Sequence, residues 1–214
     1  MKNPRLMLIL AGIILSFRAY SQTVMYDVTV AGRVVGSVKV ILFDAGAKTV
    51  KRRIEAQFSI PFYSGSFFSE NDFADGFLKT SLTEHYVNGK QRERTFTSNK
   101  KPQSYRIDFS GKTADKEKPK DLNQAINHTI TNLYYEEPAN VSAVYSERYG
   151  QMCSVKKLDE NRYGISLPNG KQSIYAYERG QCTEVQSELA GMKLRIVRKM
   201  NQLAGKVNHK NISY

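Results

Sequence analysis

Residues 50–60, Val-Lys-Arg-Arg-Ile-Glu-Ala-Gln-Phe-Ser-Ile, decide the fold. Val50, Ile54, Ala56, Phe58 and Ile60 fall on one side of an extended chain, with Arg52 the single exception. Lys51, Arg53, Glu55, Gln57 and Ser59 fall on the other. A period of two predicts a strand with one dry and one wet face. Outward from it, Met25 to Val30 and Val34 to Phe43 alternate in the same way around Ala31-Gly32-Arg33. Phe77 to Val87 leads through Asn88-Gly89, a pair suited to a tight hairpin turn, into Gln91 to Thr97. Tyr105, Ile107 and Phe109 mark a further strand. From Met152 the pattern resumes over 152–158, 162–167, 172–178, 182–189 and 192–199, with Asn169-Gly170 and Gly180 as turns.

Between these runs two stretches differ. Residues 62–75 are rich in Phe and Ser and read as a loop after Pro61. Residues 111–121 are charged around Pro119 and read as a surface loop. Leu122, Ile126, Ile130 and Leu133 then recur at helical spacing, which predicts one short helix before Pro138. The expected fold is mainly β: a strongly curved antiparallel meander sheet forming an open or barely closed barrel, with one short helix. A long sheet with one dry face must otherwise leave that face in water. The expected organisation is a single β domain over 22–204. Its halves, 22–110 and 139–204, are joined by the charged loop and short helix of 111–138, and a polar tail follows at 205–214.

The N-terminus has three parts in order. Lys2 and Arg5 are basic, Leu6 to Phe17 is apolar apart from Gly12 and Ser16, and Ala19 and Ser21 place small residues before Gln22. This reads as a secretory signal peptide over 1–21, because an apolar run of about 12 residues falls short of the roughly 20 that span a bilayer. The protein is therefore expected to be exported, periplasmic or secreted, and not transmembrane. Its formal net charge of +12 suits anionic surfaces, and export disfavours nucleic acid. Cys153 and Cys182 would face a compartment where disulfides persist. Strand parity sets them on opposite faces unless a bulge intervenes, so bridged and free states both stay open. Eight of the 13 Tyr residues lie at or after Tyr134, which suggests that the second half is the wetter rim of the sheet.

No catalytic constellation, metal site or cofactor motif is expected. His85, His128 and His209 have no partner at ligand spacing and read as surface or turn residues. Gly164-Ile165-Ser166-Leu167-Pro168 lacks the closing glycine of a nucleophile elbow. Asp72 and Asp75 fail the spacing of a calcium loop, and a hydrogen-bonded turn explains them better. What stands out is the aromatic group Phe62, Tyr63, Phe67, Phe68 and Phe73. It is expected either to plug the mouth of the barrel as part of the core, or to line the mouth of a concave face and bind a ligand or partner. The cations Lys51, Arg53, Arg92, Arg94, Lys100, Lys101, Lys193 and Arg195 would form a basic patch if some of them converged on one wet face.

Tyr26-Asp27-Val28-Thr29-Val30-Ala31-Gly32 with Gly36, Asn71-Asp72-Phe73-Ala74-Asp75-Gly76 and Leu133-Tyr134-Tyr135-Glu136-Glu137-Pro138 resemble landmarks of an uncharacterised family of exported Gram-negative bacterial proteins, a domain of unknown function. The resemblance implies an exported β-sheet protein, akin in fold to open barrels that handle lipids or lipoproteins in the cell envelope. It supplies no catalytic residue. The leading expectation is a non-enzymatic envelope protein that holds a lipid-like amphiphile or an envelope protein on its concave face. The alternative is a structural or protein-interaction module with a filled core. N-terminal sequencing of the protein from its native cells should read Gln22 as the first residue. An intact Met1 on a membrane-held chain would overturn the export reading.

Overall fold

A computed structural model describes residues 20–44, 48–112, 118–189 and 191–199. The leader before Tyr20 and the polar tail lie outside the described residues. The chain runs through β1 (Tyr20–Val30), β2 (Arg33–Asp44), β3 (Thr49–Ile60), β4 (Tyr63–Ala74), β5 (Phe77–Val87), β6 (Lys90–Lys101), β7 (Ser104–Ser110) and β8 (Lys120–Leu122). After a 3-10 turn at Thr131–Tyr134 come β9 (Ala143–Ser146), β10 (Gln151–Asp159), β11 (Arg162–Ser166), β12 (Gln172–Glu178), β13 (Gln181–Leu189) and β14 (Met192–Arg198). All join one 14-stranded antiparallel meander in the order β8-β7-β6-β5-β4-β3-β2-β1-β14-β13-β12-β11-β10-β9. The first and last strands pair at its centre, with Tyr26 opposite Arg198 and Val30 opposite Leu194.

The expected antiparallel meander forms, but the strongly curved, open or barely closed barrel is corrected to a sheet that neither closes nor curls strongly. Its edges, β8 and β9, share no ladder. The dry face is covered instead by the chain that crosses from one edge to the other. Leu133 and Val144 pack into a core with Tyr26, Val38, Ile54, Tyr163 and Ile165. Ile126 and Tyr145 complete a second core with Phe73, Leu78, Tyr105 and Ile107. The expected helix is also corrected: only the 3-10 turn forms. Ile126, Thr129, Ile130 and Thr131 are β-branched and resist helix formation. The segment's backbone also bonds outside itself, Ile126 O accepting from Leu78 N at 2.8 Å and Ile130 N donating to Tyr145 O at 2.9 Å.

The loop expected over 62–75 is strand β4. Gly65 supplies the room: a Cβ there would lie 2.4 Å from the Phe58 ring, so the glycine lets Phe58 cross onto its neighbour. Pro61 and Phe62 make the two-residue turn, with Phe62 at a left-handed φ of 65°. Asn88 and Gly89 are both left-handed, as a tight hairpin of that sequence requires.

Bulges resolve the cysteines. A register shift in the β12–β13 pair lets Cys182 and Val185 both face inward, into the same core as Cys153. Both thiols are free and buried. They sit on β13 and β10, three strands apart or roughly 14 Å at the usual strand spacing, well beyond the reach of a disulfide. Burial pushes Cys153 up to about 11 and Cys182 up to about 12, so neither is a reactive thiolate. The tyrosines are not a wet rim. Tyr145, Tyr163, Tyr175 and Tyr177 are buried. Several of their hydroxyls find internal partners, Tyr177 donating to Leu133 O and Tyr145 bonding Thr97, both at 2.7 Å.

Four of the cations expected in a basic patch are matched by acids instead. Lys51 and Arg53 both bind Glu70, Arg94 meets Glu84 at 3.4 Å and Arg195 meets Glu184 at 2.6 Å. Burial alone would raise Glu70, yet hydrogen bonds from Lys51 and Arg53 hold its carboxyl below the ordinary range. Arg52, the exception in the founding strand, points inward. It pairs with Glu136 at 3.2 Å and lies over the Phe73 and Tyr135 rings. The register makes a clean contrast: Ile54→Asp should lower stability by several kcal/mol, by placing an unpaired charge in the core. Glu55→Gln, on the wet face, should change it by under about 0.5 kcal/mol. Similar urea midpoints for the two variants would refute the assigned faces.

Candidate functional site

The inner face has two regions of opposite character. Over β1–β3 and β10–β14 it is apolar. Over the middle of β4–β6, between Phe67 and the second core, it is polar: Ser69 and Asn71 on β4, Ser81, Thr83 and His85 on β5, Thr95 and Thr97 on β6, all buried. The crossing segment answers with Thr129, Thr131, Asn132, Ser146 and Glu147, buried as well. Ser69 bonds Thr131 at 2.9 Å, Thr83 donates to Glu147 O at 3.4 Å, and Thr95 donates to Arg148 O at 2.8 Å. The Glu147 carboxylate accepts from Asn71 Nδ2 at 2.8 Å, from Thr131 N at 2.9 Å and from Ile130 N at 3.2 Å. It thereby tethers the start of the 3-10 turn to the sheet.

Where the two regions meet, the crossing segment leaves a cavity of about 230 Å³. Val28, Val38, Ile54, Phe58, Phe67 and Leu194 form apolar walls, and Ile130 and Tyr134 close it from the crossing segment. Its polar lining includes His85, Arg148, Asn169 and Glu188. These charges are already paired. Arg148 Nη2 donates to Glu93 Oε1 at 2.9 Å, and Lys171 holds Glu188 at 2.6 Å. Asn169 Nδ2 donates to the Tyr149 hydroxyl at 2.9 Å. Burial would lower Arg148 and raise Glu93, but their mutual hydrogen bonds shift each toward its charged form.

His85 is the group left over. It is 8% exposed, and its Nδ1 has no hydrogen-bond partner, lying 3.9 Å from Glu93. Asn71 Oδ1 and Ser81 Oγ, on the same polar face, are also buried without partners. A buried polar atom without a partner is destabilising unless something completes it; of these three groups His85 lines the cavity, so it is the one a guest can reach. The apolar walls can take hydrocarbon. The arrangement suits binding and orientation.

The aromatic group expected at the site is dispersed. Phe67 lines the cavity. Tyr63 stacks on Phe58 with ring centroids 5.7 Å apart. Phe68 faces outward with Arg53 over its ring, Phe73 belongs to the second core, and Phe62 stands free in solvent. Alternation along β4 separates Phe67 from Phe68, which a loop would have allowed to converge. Sequence reasoning missed His85, Glu147 and Arg148. His85 is buried rather than a surface or turn residue. In β5 its inward neighbours Ser81 and Thr83 alternate with Thr80, Leu82 and Glu84, so no apolar phase marked the inner side. Asp72 faces Lys51 at 3.4 Å and accepts from Thr80 at 2.9 Å, and Asp75 lies 3.9 Å from Lys48. Both serve turn and strand contacts. Among the described residues no cluster of ligating side chains could hold a metal ion.

Residues 26–199 match the model of a family described as a domain of unknown function (DUF6134). The chain belongs to that family. No curated protein matches it. This DUF6134 chain is similar to the crystal structure of a β-barrel-like protein of domain of unknown function DUF1849 from Brucella abortus. The TM-score is 0.49 and the identity 9%, over 86% of this chain and 98% of that one.

Burial, with the charges of Arg148 and Arg92 assisting and Glu93 opposing, holds the His85 imidazole below its ordinary value near 6.5. The unfolded chain therefore takes up a proton there that the folded protein refuses. Stability is full above pH 6.5 and falls as pH drops toward the lower folded value. His85→Gln should flatten this limb. Urea midpoints at pH 7.5 and 5.5 test it, and an equal drop in both proteins would refute the assignment.

Proposed function

We propose that this protein is a non-enzymatic, exported binding protein that takes the hydrocarbon part of an amphiphile into the inner-face cavity. The observation that carries the reading is the cavity itself: apolar walls left unfilled between the sheet and a segment otherwise packed closely onto it. Protein interiors are filled to crystal-like density, so a gap of about 230 Å³ supports a binding role over a module with a filled core. Its size lies below the roughly 300–1,000 Å³ usual for drug-sized ligands. That favours one short chain, or one end of a longer one. Each buried methylene would contribute about 0.8 kcal/mol, against the ordering cost of the chain. The head of the guest stays at the polar end, near Asn169 and the paired Arg148 and Glu188. Export rests on the tripartite leader of residues 1–21. Among the described residues no helix is long and apolar enough to cross a membrane.

Titration with a fluorescent medium-chain fatty acid should give saturable, one-to-one binding. Ala56 lines the cavity, and Ala56→Phe should fill it and weaken binding at least tenfold while leaving the β-sheet circular dichroism unchanged. Phe67→Ala should instead enlarge the cavity and shift the preference toward longer chains. Absence of saturable binding, or unchanged binding in Ala56→Phe, would overturn the reading.

A further inference from the structure

An antiparallel meander sends alternate turns to the same end. The turns at Gly32, Phe62, Gly89, Gly170 and Gly191 share one end of this sheet, with neighbouring turns two strands or roughly 10 Å apart around its centre. At this end the chain does something unusual with an aromatic. Phe62 is fully exposed, at 101% of its reference area, on a left-handed backbone that a phenylalanine adopts only against steric resistance. The turn is held in place: Asn88 Oδ1 accepts from Ser64 N at 2.8 Å, and Asn88 Nδ2 donates to Phe62 O at 3.4 Å. One turn over, Val34 is 63% exposed.

Charge is just as uneven. Within three residues of these turns the charged residues are Arg33, Lys90, Arg92, Lys171, Lys193 and Glu188, and Lys171 already neutralises Glu188. Arg33, Lys90 and Lys193 are exposed, and no salt bridge reaches them among the described residues. The opposite end mixes both signs: Lys48 with Asp75, Arg162 with Asp159, and Glu178 beside Arg179. The cavity reaches the basic end, since its solvent-exposed lining residues Ser66, Asn169 and Glu188 lie at or next to those turns.

We propose that this end of the sheet docks on the surface of an anionic bilayer. Phe62 and Val34 enter the headgroup layer, while Arg33, Lys90 and Lys193 meet lipid phosphates. An aromatic presented among cations is the chemistry that holds proteins at membrane interfaces, through apolar burial added to attraction by anionic lipid. An acidic soluble partner would use the cations but has no need of an aromatic held out in water at a strained turn. Docked in this way, the cavity mouth faces the lipid from which a chain would be taken. The docking itself does not depend on what fills the cavity.

Co-sedimentation tests this with the protein in the processed form its own cells make. It should bind vesicles of phosphatidylglycerol and phosphatidylethanolamine, bind phosphatidylcholine vesicles weakly, and lose binding as salt rises. Arg33→Gln and Lys193→Gln should each reduce partitioning about fivefold, and Phe62→Ser roughly tenfold. All three variants should keep the fatty-acid binding of the cavity, so a failed docking proposal is distinguishable from a failed cavity. Equal binding to neutral vesicles, or unchanged binding in Phe62→Ser, overturns the proposal. So does salt-sensitive binding to soluble polyglutamate with none to vesicles, which would indicate an acidic protein partner.

Discussion

A buried carboxylate holds the two ends of the sheet's cover together. Glu147, 3% exposed, accepts hydrogen bonds from Asn71 on β4 and from the backbone of Ile130 and Thr131 on the crossing segment. Hydrogen bonds to a charged group contribute about 1.5–3 kcal/mol each, and here they join three stretches of chain far apart in sequence. It works beside the bonds of Leu78 to Ile126 O, Ser69 to Thr131 and Tyr177 to Leu133 O, which also keep the crossing segment on the sheet and the apolar face beneath it out of water. The open edges at β8 and β9 are tolerable for the same reason: the chain between them, not a closing ladder, covers the dry face.

The tether also explains why the cavity lies where it does. Polar contacts fix the crossing segment over β4–β6, and apolar contacts through Leu133 and Val144 fix it over the central strands. Between these two anchorages the sheet is left partly uncovered, and Phe58 and Phe67 frame the gap. Gly65 takes part from below, because only a residue without a side chain lets the Phe58 ring lie across β4. The polar wall is incompletely satisfied at His85, Asn71 and Ser81. His85 alone of these lines the cavity, and a guest or water that completes it gains what the folded chain alone forgoes.

The outer face follows a different rule. Its cations are matched by acids across strands, as with Lys51 and Arg53 around Glu70, and Arg195 with Glu184. Exposed pairs of this kind add little stability. At the turns around Phe62, by contrast, Arg33, Lys90 and Lys193 stand exposed with no salt bridge among the described residues. Topology, which composition does not report, brings these three cations to one end of the sheet.

The strands were legible because period two is a local property. Residues 50–60, 172–178 and 192–199 alternate strongly enough to be read as they stand, and Asn88-Gly89 named its own turn. Strand β4 was not legible, since its inward residues Ser69 and Asn71 are as polar as its outward Glu70 and Asp72. The same silence hid His85 and the polar wall. Tertiary structure alone decided whether Cys153 and Cys182 share a face, because one bulge reverses the parity of everything beyond it. It also decided that Ile126 to Leu133 would forgo a helix for contacts with strands from the other half of the chain. Alternation determines which side chains share a face of a strand. Which faces meet, and where they leave a gap, depends on pairings more than a hundred residues apart, such as Tyr26 with Cys182, that no local pattern records.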